Sequence, residues 1–242
     1  MTPRQPAAGT GPVLGIVGGM GPLASNEFLR TIYRFHLADP EQGSPRCILD
    51  CDPTFPDRTT AILAGAVDLL AERLGKTVET LVTAGASKVV IACVTVHCAL
   101  PLLAPPVRRR VVSLLDLGIG ELLAAGPGPF LLLATRGTRA ARIFESHPRW
   151  GEVADRVVFP DGPDQERLHD WIYQLKAGAP GAACREWLAA LPDRYAAAGL
   201  VFGCTELHLL RTEFESAGGT RIVDPLWTAA RDLRELLTEE SG

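Results

Sequence analysis

The sequence predicts an α/β protein of two similar lobes, each a parallel sheet flanked by helices. Three observations carry that expectation. Short apolar runs alternate with longer helix-like stretches along the chain, the pattern of strands joined by crossover helices. One module occurs twice: a helix-like stretch closing in small residues and glycine, then a buried apolar run, then a cysteine. Thr83-Ala84-Gly85-Ala86 precedes Lys88-Val89-Val90-Ile91-Ala92 and Cys93, and Ala196-Ala197-Ala198-Gly199 precedes Leu200-Val201-Phe202-Gly203 and Cys204. Finally, Gly126-Pro127-Gly128-Pro129 punctuates the chain just before the second cycle of strands begins.

The elements follow in order. Val13-Leu14-Gly15-Ile16-Val17 is apolar and bounded by glycine, which suits a buried strand. Residues 18–22 make a turn, and a helix starts between 23 and 25 and runs to 36. Strands are expected at 46–50, 88–92 and 110–115, with a long, interruptible helical stretch at 61–84. The second cycle opens with a strand at 130–134, a loop at 135–138 and a helix beginning at 139–145. A strand at 156–159, helices at 164–177 and 181–198, a strand at 200–202, a strand at 221–223 and a helix at 226–237 complete it. The first lobe is assigned to 12–113 together with 219–242, the closing helix packing back on it, and the second lobe to 114–218. Residues 1–11 are polar and rich in Pro, Gly and Ala, without the apolar stretch of a signal peptide, and are expected to be a disordered tail.

Bulk properties exclude some function classes. A net charge of −4 and a pI near 5.8 leave no basic footprint for nucleic acid or an anionic membrane. No stretch approaches the roughly 18 apolar residues of a membrane span. Six cysteines without an apolar leader suit reduced thiols and a cytoplasmic setting. Cys47, Cys51, Cys98 and Cys184 behave most simply as small buried hydrophobes.

The chemistry-bearing positions cluster after strands. In open α/β sheets ligands bind beyond the carboxyl ends of the strands, and both Cys93 and Cys204 fall there. Each is followed by threonine and, four residues on, by histidine: Cys93-Val94-Thr95-Val96-His97 and Cys204-Thr205-Glu206-Leu207-His208. Such pairs could ligate zinc, but no carboxylate-rich partner set accompanies them, so no metal is expected and the histidines read as first-turn residues satisfied locally. A single-thiol Cys-His hydrolase is a further reading. The glycine-rich Gly18-Gly19-Met20-Gly21-Pro22 lacks the Gly-Lys-Ser/Thr of a phosphate-binding loop, and suits a turn whose backbone amides approach an anionic substrate. Arg58, in Pro56-Asp57-Arg58-Thr59, could clamp a carboxylate or form a helix-start salt bridge capped by Asp57 or Thr59.

Taken together, these segments resemble the aspartate/glutamate racemase superfamily, closest to its cofactor-independent aspartate racemase branch. The resemblance rests on residues 15–24, the Arg58 and Cys93 segments, Leu133-Ala134-Thr135, Ile172-Tyr173-Gln174-Leu175-Lys176-Ala177-Gly178, Gly203-Cys204-Thr205-Glu206 and Asp224-Pro225. It implies two lobes related by a pseudo-two-fold axis, usually in a homodimer, acting on a small carboxylate in the cleft without a cofactor. It implies that Cys93 and Cys204 form an acid/base pair, that Arg58 and Lys176 hold a distal carboxylate, that Thr135 helps hold the α-carboxylate, and that Glu206 lies beside the second thiol. Met20, Val94, Thr95 and Thr205 complete the expected substrate-binding set. Val94 departs from the family's usual asparagine, whose amide helps bind the amino acid; losing a hydrogen bond to a charged group costs roughly 1.5–3 kcal/mol. The expected activity is therefore a racemase or epimerase of an acidic amino acid or a related carboxylic acid. An isomerase or decarboxylase of a dicarboxylic acid on the same scaffold, or a non-catalytic dicarboxylate binder, is the alternative.

Overall fold

The computed structural model describes residues 11–238. The expected tail therefore lies almost wholly outside the described residues. In the first half, β1 (Val13–Gly18), α1 (Pro22–His36), β2 (Arg46–Cys51), α2 (Arg58–Leu63), α3 (Val67–Thr83), β3 (Lys88–Ile91), α4 (Pro105–Arg108), β4 (Val111–Val112) and α5 (Leu114–Ala124) follow one another. The second half repeats the plan with β5 (Phe130–Leu133), α6 (Arg136–Ala140), β6 (Val157–Val158), α7 (Gly162–Lys176), α8 (Ala182–Ala189) and α9 (Leu191–Arg194). It continues with β7 (Gly199–Phe202), α10 (Arg211–Ala217), β8 (Arg221–Val223), α11 (Pro225–Arg231) and α12 (Leu233–Thr238). The sheets run β2-β1-β3-β4 and β6-β5-β7-β8, all parallel. The same order in both halves gives the pseudo-two-fold relation of two α/β lobes.

Alternation along the inner strands β1, β3, β5 and β7 explains why they are almost wholly apolar. Leu14, Ile16, Val90, Phe130, Leu132 and Val201 point into one central cluster between the sheets. Val17, Val89 and Ile91 face α3, while Leu131, Leu133, Leu200 and Phe202 face the helices outside the second sheet. Strands buried on both faces need no polar side. The helices carry the matching stripes: Ala24, Phe28 and Ile32 on α1, Leu70, Leu74, Val78 and Leu81 on α3, Leu168, Ile172 and Leu175 on α7.

Several boundaries differ from expectation. The strand expected at 110–115 stops at Val112, because Ser113 accepts the Asp116 amide and starts α5 at Leu114. The loop expected at 135–138 is the first turn of α6, with Thr135 as its cap, so the helix begins three residues early. The 61–84 stretch breaks around Gly65, whose φ is +69°. The 181–198 stretch divides at Ala190, ahead of Pro192 in the first turn of α9, and the 226–237 stretch divides at Asp232. The strand at 221–223 pairs with β7, so part of the 219–242 segment assigned to the first lobe belongs to the second sheet. After it, α11 does cross to pack on α1, and α5 packs on α11 and β8. These two helices fill the space between the sheets.

Candidate active site

In each sheet the chain crosses outward in opposite directions from the central pair, β1/β3 and β5/β7. That is a topological switch point, where a crevice opens at the carboxyl ends of the strands. The residues that follow these four strands form the site: Gly19 to Gly21 after β1, Cys93 to Thr95 after β3, Thr135 after β5, and Cys204 to Glu206 after β7. The two crevices meet across the lobes, since Glu206 Oε1 accepts the Gly21 amide at 3.0 Å and the Thr205 hydroxyl donates to the Ala92 carbonyl at 3.1 Å.

The thiols have opposite neighbours. Cys204, 3% exposed, donates to Glu206 Oε2 at 2.9 Å. Burial pushes this thiol well above its usual pKa; the Glu206 carboxylate adds to the rise, against the lowering effect of Lys176. The Cys204 S–H thus points at the Glu206 carboxylate. Cys93, 4% exposed, faces the guanidinium of Arg58. Burial by itself would lower the Arg58 pKa, but the Cys93 sulfur and the Asp57 and Glu206 carboxylates outweigh it and raise the value.

Arg58 is buried at the start of α2, where Asp57 is the cap and accepts the Thr60 amide at 2.8 Å. The Asp57 cap expected of this segment is thus present. Arg58 Nη2 donates to the Met20 carbonyl at 2.7 Å and Nη1 to the Pro56 carbonyl at 3.0 Å, while the buried Nε has no partner. Met20 contributes this carbonyl; its side chain is wholly buried in the first lobe's outer cluster. Lys176, the last residue of α7, lies 4.6 Å over the Tyr173 ring. Burial would lower its pKa too, but Glu206 and Cys204 raise it. Arg58 and Lys176 thus lie near two carboxylates, Asp57 and Glu206, and the unpartnered Nε of Arg58 is a donor left for an anionic ligand.

Three buried hydroxyls form a triangle on one side: Thr95 to Thr138 at 3.0 Å, Thr95 to Thr135 at 3.3 Å and Thr135 to Thr138 at 3.1 Å. Thr205 gives its proton to Ala92, so its hydroxyl ties the lobes together. Val94 packs in the central apolar cluster, 1% exposed. His97 is held locally only through Nδ1, which donates to the Cys93 carbonyl at 2.9 Å; Nε2 accepts the amide of Leu114, 17 residues on, at 3.2 Å. His208 is not held locally. It bonds Asp224 at 2.6 Å and Thr31 at 3.0 Å, both far along the chain. With both ring nitrogens so engaged, neither histidine is available to a metal beside its cysteine. Among the described residues no group of three or more His, Cys, Asp or Glu is arranged to hold one.

Sequence reasoning missed three participants. Thr138 completes the hydroxyl triangle, and its spacing from Thr135 is a capping pattern that could have flagged it. Tyr173 donates to Asp57 Oδ2 at 2.7 Å, joining α7 of the second lobe to α2 of the first. His208 reaches across to α1. Neither long-range partner has a local signal.

Residues 17–233 match the family described as Asp/Glu/Hydantoin racemase. Among solved structures, the aspartate racemase of Picrophilus torridus superposes with a TM-score of 0.77 at 23% identity, over 92% of this chain and 94% of that one. An aspartate racemase homologue from Pyrococcus horikoshii gives 0.69 at 23%, over 93% and 99%. The glutamate racemase of Francisella tularensis, solved with D-glutamate, gives 0.61 at 14%, over 94% and 80%. At these identities the likeness is one of fold.

Proposed function

Because the chain belongs to the Asp/Glu/hydantoin racemase family, we propose that it is a racemase or epimerase of an acidic amino acid or related carboxylic acid, working without a cofactor through Cys93 and Cys204. The observation that carries this reading is the unlike setting of two thiols at equivalent strand ends, one beside a guanidinium and one protonated against a carboxylate. An α-proton beside a carboxylate is very weakly acidic. A thiolate at Cys93, with Arg58 facing it, takes that proton from one face of the substrate. Cys204 returns a proton to the other face, and Glu206 orients its S–H. For the opposite enantiomer the two thiols exchange roles.

Arg58 and Lys176 suit a distal carboxylate, and the hydroxyl triangle with nearby amides suits the charge that builds up at the α-carboxylate. Enclosure strengthens these contacts by excluding water. Val94 turns into the central cluster and offers no acceptor to an α-ammonium group, which favours a second reading, a dicarboxylic acid without that group, turned over by isomerisation on the same two thiols.

The test is α-proton exchange in deuterium oxide together with inversion, followed for aspartate, glutamate and unsubstituted dicarboxylic acids. Cys93→Ala and Cys204→Ala should each abolish inversion while the fold is kept, as judged by circular dichroism. A single thiol can still support exchange from its own face. Inversion at close to the wild-type rate in either variant rules out the two-thiol mechanism, and turnover confined to acids lacking the amino group selects the second reading.

A further inference from the structure

The turn that follows Cys204 and carries Glu206, Thr205–Leu210, touches α1 at two places. At one end Glu206 Oε1 accepts the amide of Gly21, the residue that caps α1. About three turns further along the same helix, Thr31 meets His208 at 3.0 Å. The Thr31 hydroxyl, which also reaches the Glu27 carbonyl at 2.9 Å, meets the ring at Nε2. On the other side of the ring, Nδ1 donates to Asp224 Oδ2 at 2.6 Å. Asp224 is itself fixed, because its second oxygen caps α11 by accepting the Leu226 and Trp227 amides at 3.0 and 3.3 Å. The His208 ring is 1% exposed and lies edge-on to Phe28 and Trp227, which leaves it one orientation.

We propose that His208 is a positioning residue: it staples the Cys204 turn to α1 of the opposite lobe, and so holds the Glu206 carboxylate where it meets both Gly21 and the Cys204 thiol. His208 touches no reacting atom. It acts through the register of one short turn against one helix. If the His208 end of the turn swings away from α1, Glu206 loses its place between Gly21 and the sulfur. The proton of Cys204 then points less reliably at the substrate. The far end of the site is untouched, since Arg58 hangs from the Met20 and Pro56 carbonyls and Cys93 follows β3.

Two variants and two readouts test this. Thr31→Val cuts only the α1 half of the staple and keeps the His208–Asp224 pair; His208→Gln removes the ring. The first readout is alkylation of the folded protein by iodoacetamide, mapped by mass spectrometry, with buried Cys184 of the second lobe as the internal measure of general loosening. Alkylation of Cys204 should quicken by about fivefold or more in both variants, the scale of one lost hydrogen bond, with Cys184 unchanged. Equal acceleration at both cysteines, or none at either, overturns the staple. Should His208→Gln not fold, Thr31→Val alone decides.

The second readout rests on the two-thiol reading above. In deuterium oxide, the ratio of label in recovered substrate to inverted product should rise in both variants, because return of a proton from Cys204 is impaired while abstraction at Cys93 is not. That ratio does not depend on how much protein is folded. An unchanged ratio, with wild type active, overturns the positioning role. A wild type that neither exchanges nor inverts any acid tried overturns the racemase reading instead, and alkylation of Cys204 against Cys184 then decides the staple by itself.

Discussion

Arg58 and Lys176 come from opposite lobes and converge beside Glu206 and the thiols. If they hold a distal carboxylate, Arg58→Ala and Lys176→Ala should each raise KM for a dicarboxylate by roughly ten- to a hundredfold, the scale of a charge-assisted hydrogen bond. Substrates lacking that group should lose much less. Steady-state kinetics on matched mono- and dicarboxylates would show it, and equal losses on both would make the cations structural. His97 gives a different kind of outcome. Burial pulls its pKa down to about 4, against the carbonyls of Cys93 and Val94, which favour the charged ring. The value in the unfolded chain is higher, so the stability gained by keeping the ring neutral is complete above about pH 6.5 and is lost as pH falls towards 4. Within that window the loss is about 1.4 kcal/mol per pH unit. Urea unfolding of wild type and His97→Gln across it should show the histidine's share as a steeper slope in wild type; parallel slopes would deny it.

Among the elements, the turn after β1 does the most positioning per residue. Gly19 has a φ of +88°, and a Cβ there would lie 2.2 Å from the Asp52 backbone. Both neighbours then carry site groups, the Met20 carbonyl on Arg58 and the Gly21 amide on Glu206. Gly19→Ala should therefore cost about 4 kcal/mol or more, as strained, overpacked sites do. A denaturation midpoint near wild type would contradict that. How much of this is legible in the sequence depends on the kind of signal. The glycine run announces a turn, and the cysteines after two apolar runs announce strand ends, because burial on both faces and small residues before a strand leave a local trace. The Thr135 cap reads as a loop, since the glycine in Thr135-Arg136-Gly137-Thr138 draws the reading away from its capping spacing. The expected strand overruns β4 because Leu114 and Leu115 are apolar in either state. Val94 reads as a pocket residue, yet it alternates with Cys93 onto the central cluster. Alternation does not say which face is which when both are buried. The partners of His208 and Tyr173 depend on how two lobes meet, which no local pattern encodes.

At the scale of the whole molecule, the groups of the site are nearly all buried where the lobes meet, and a ligand could reach them only if the lobes parted. Among the described residues, hydrogen bonds that join the lobes around the site include Gly21 to Glu206, Ala92 to Thr205, the threonine triangle, Thr31 to His208 and Asp57 to Tyr173, beside the central apolar cluster they share. The bond from Tyr173 to Asp57 is half-buried. Tyr173→Phe removes one hydrogen bond to a carboxylate, a loss of about 1.5 kcal/mol or more to the closed form. Amide hydrogen exchange in α2 and α6, which touch each other across the lobes, should quicken by about tenfold. Exchange in β3 and β7 should not change. Unaltered exchange in α2 and α6 would mean that the tyrosine plays no part in closure.

The unlike surroundings of the two sulfurs, a guanidinium at one and a carboxylate at the other, meet a thermodynamic limit. Mirror-image acids have equal free energies in water, so a racemase cannot favour one of them at equilibrium. The ratio kcat/KM must come out the same from either hand. Whatever the asymmetry does to one enantiomer's turnover, it must do equally to that enantiomer's KM. In a two-thiol racemase the lopsided pair would therefore set which hand saturates the site first and turns over more slowly, and would leave the final mixture untouched.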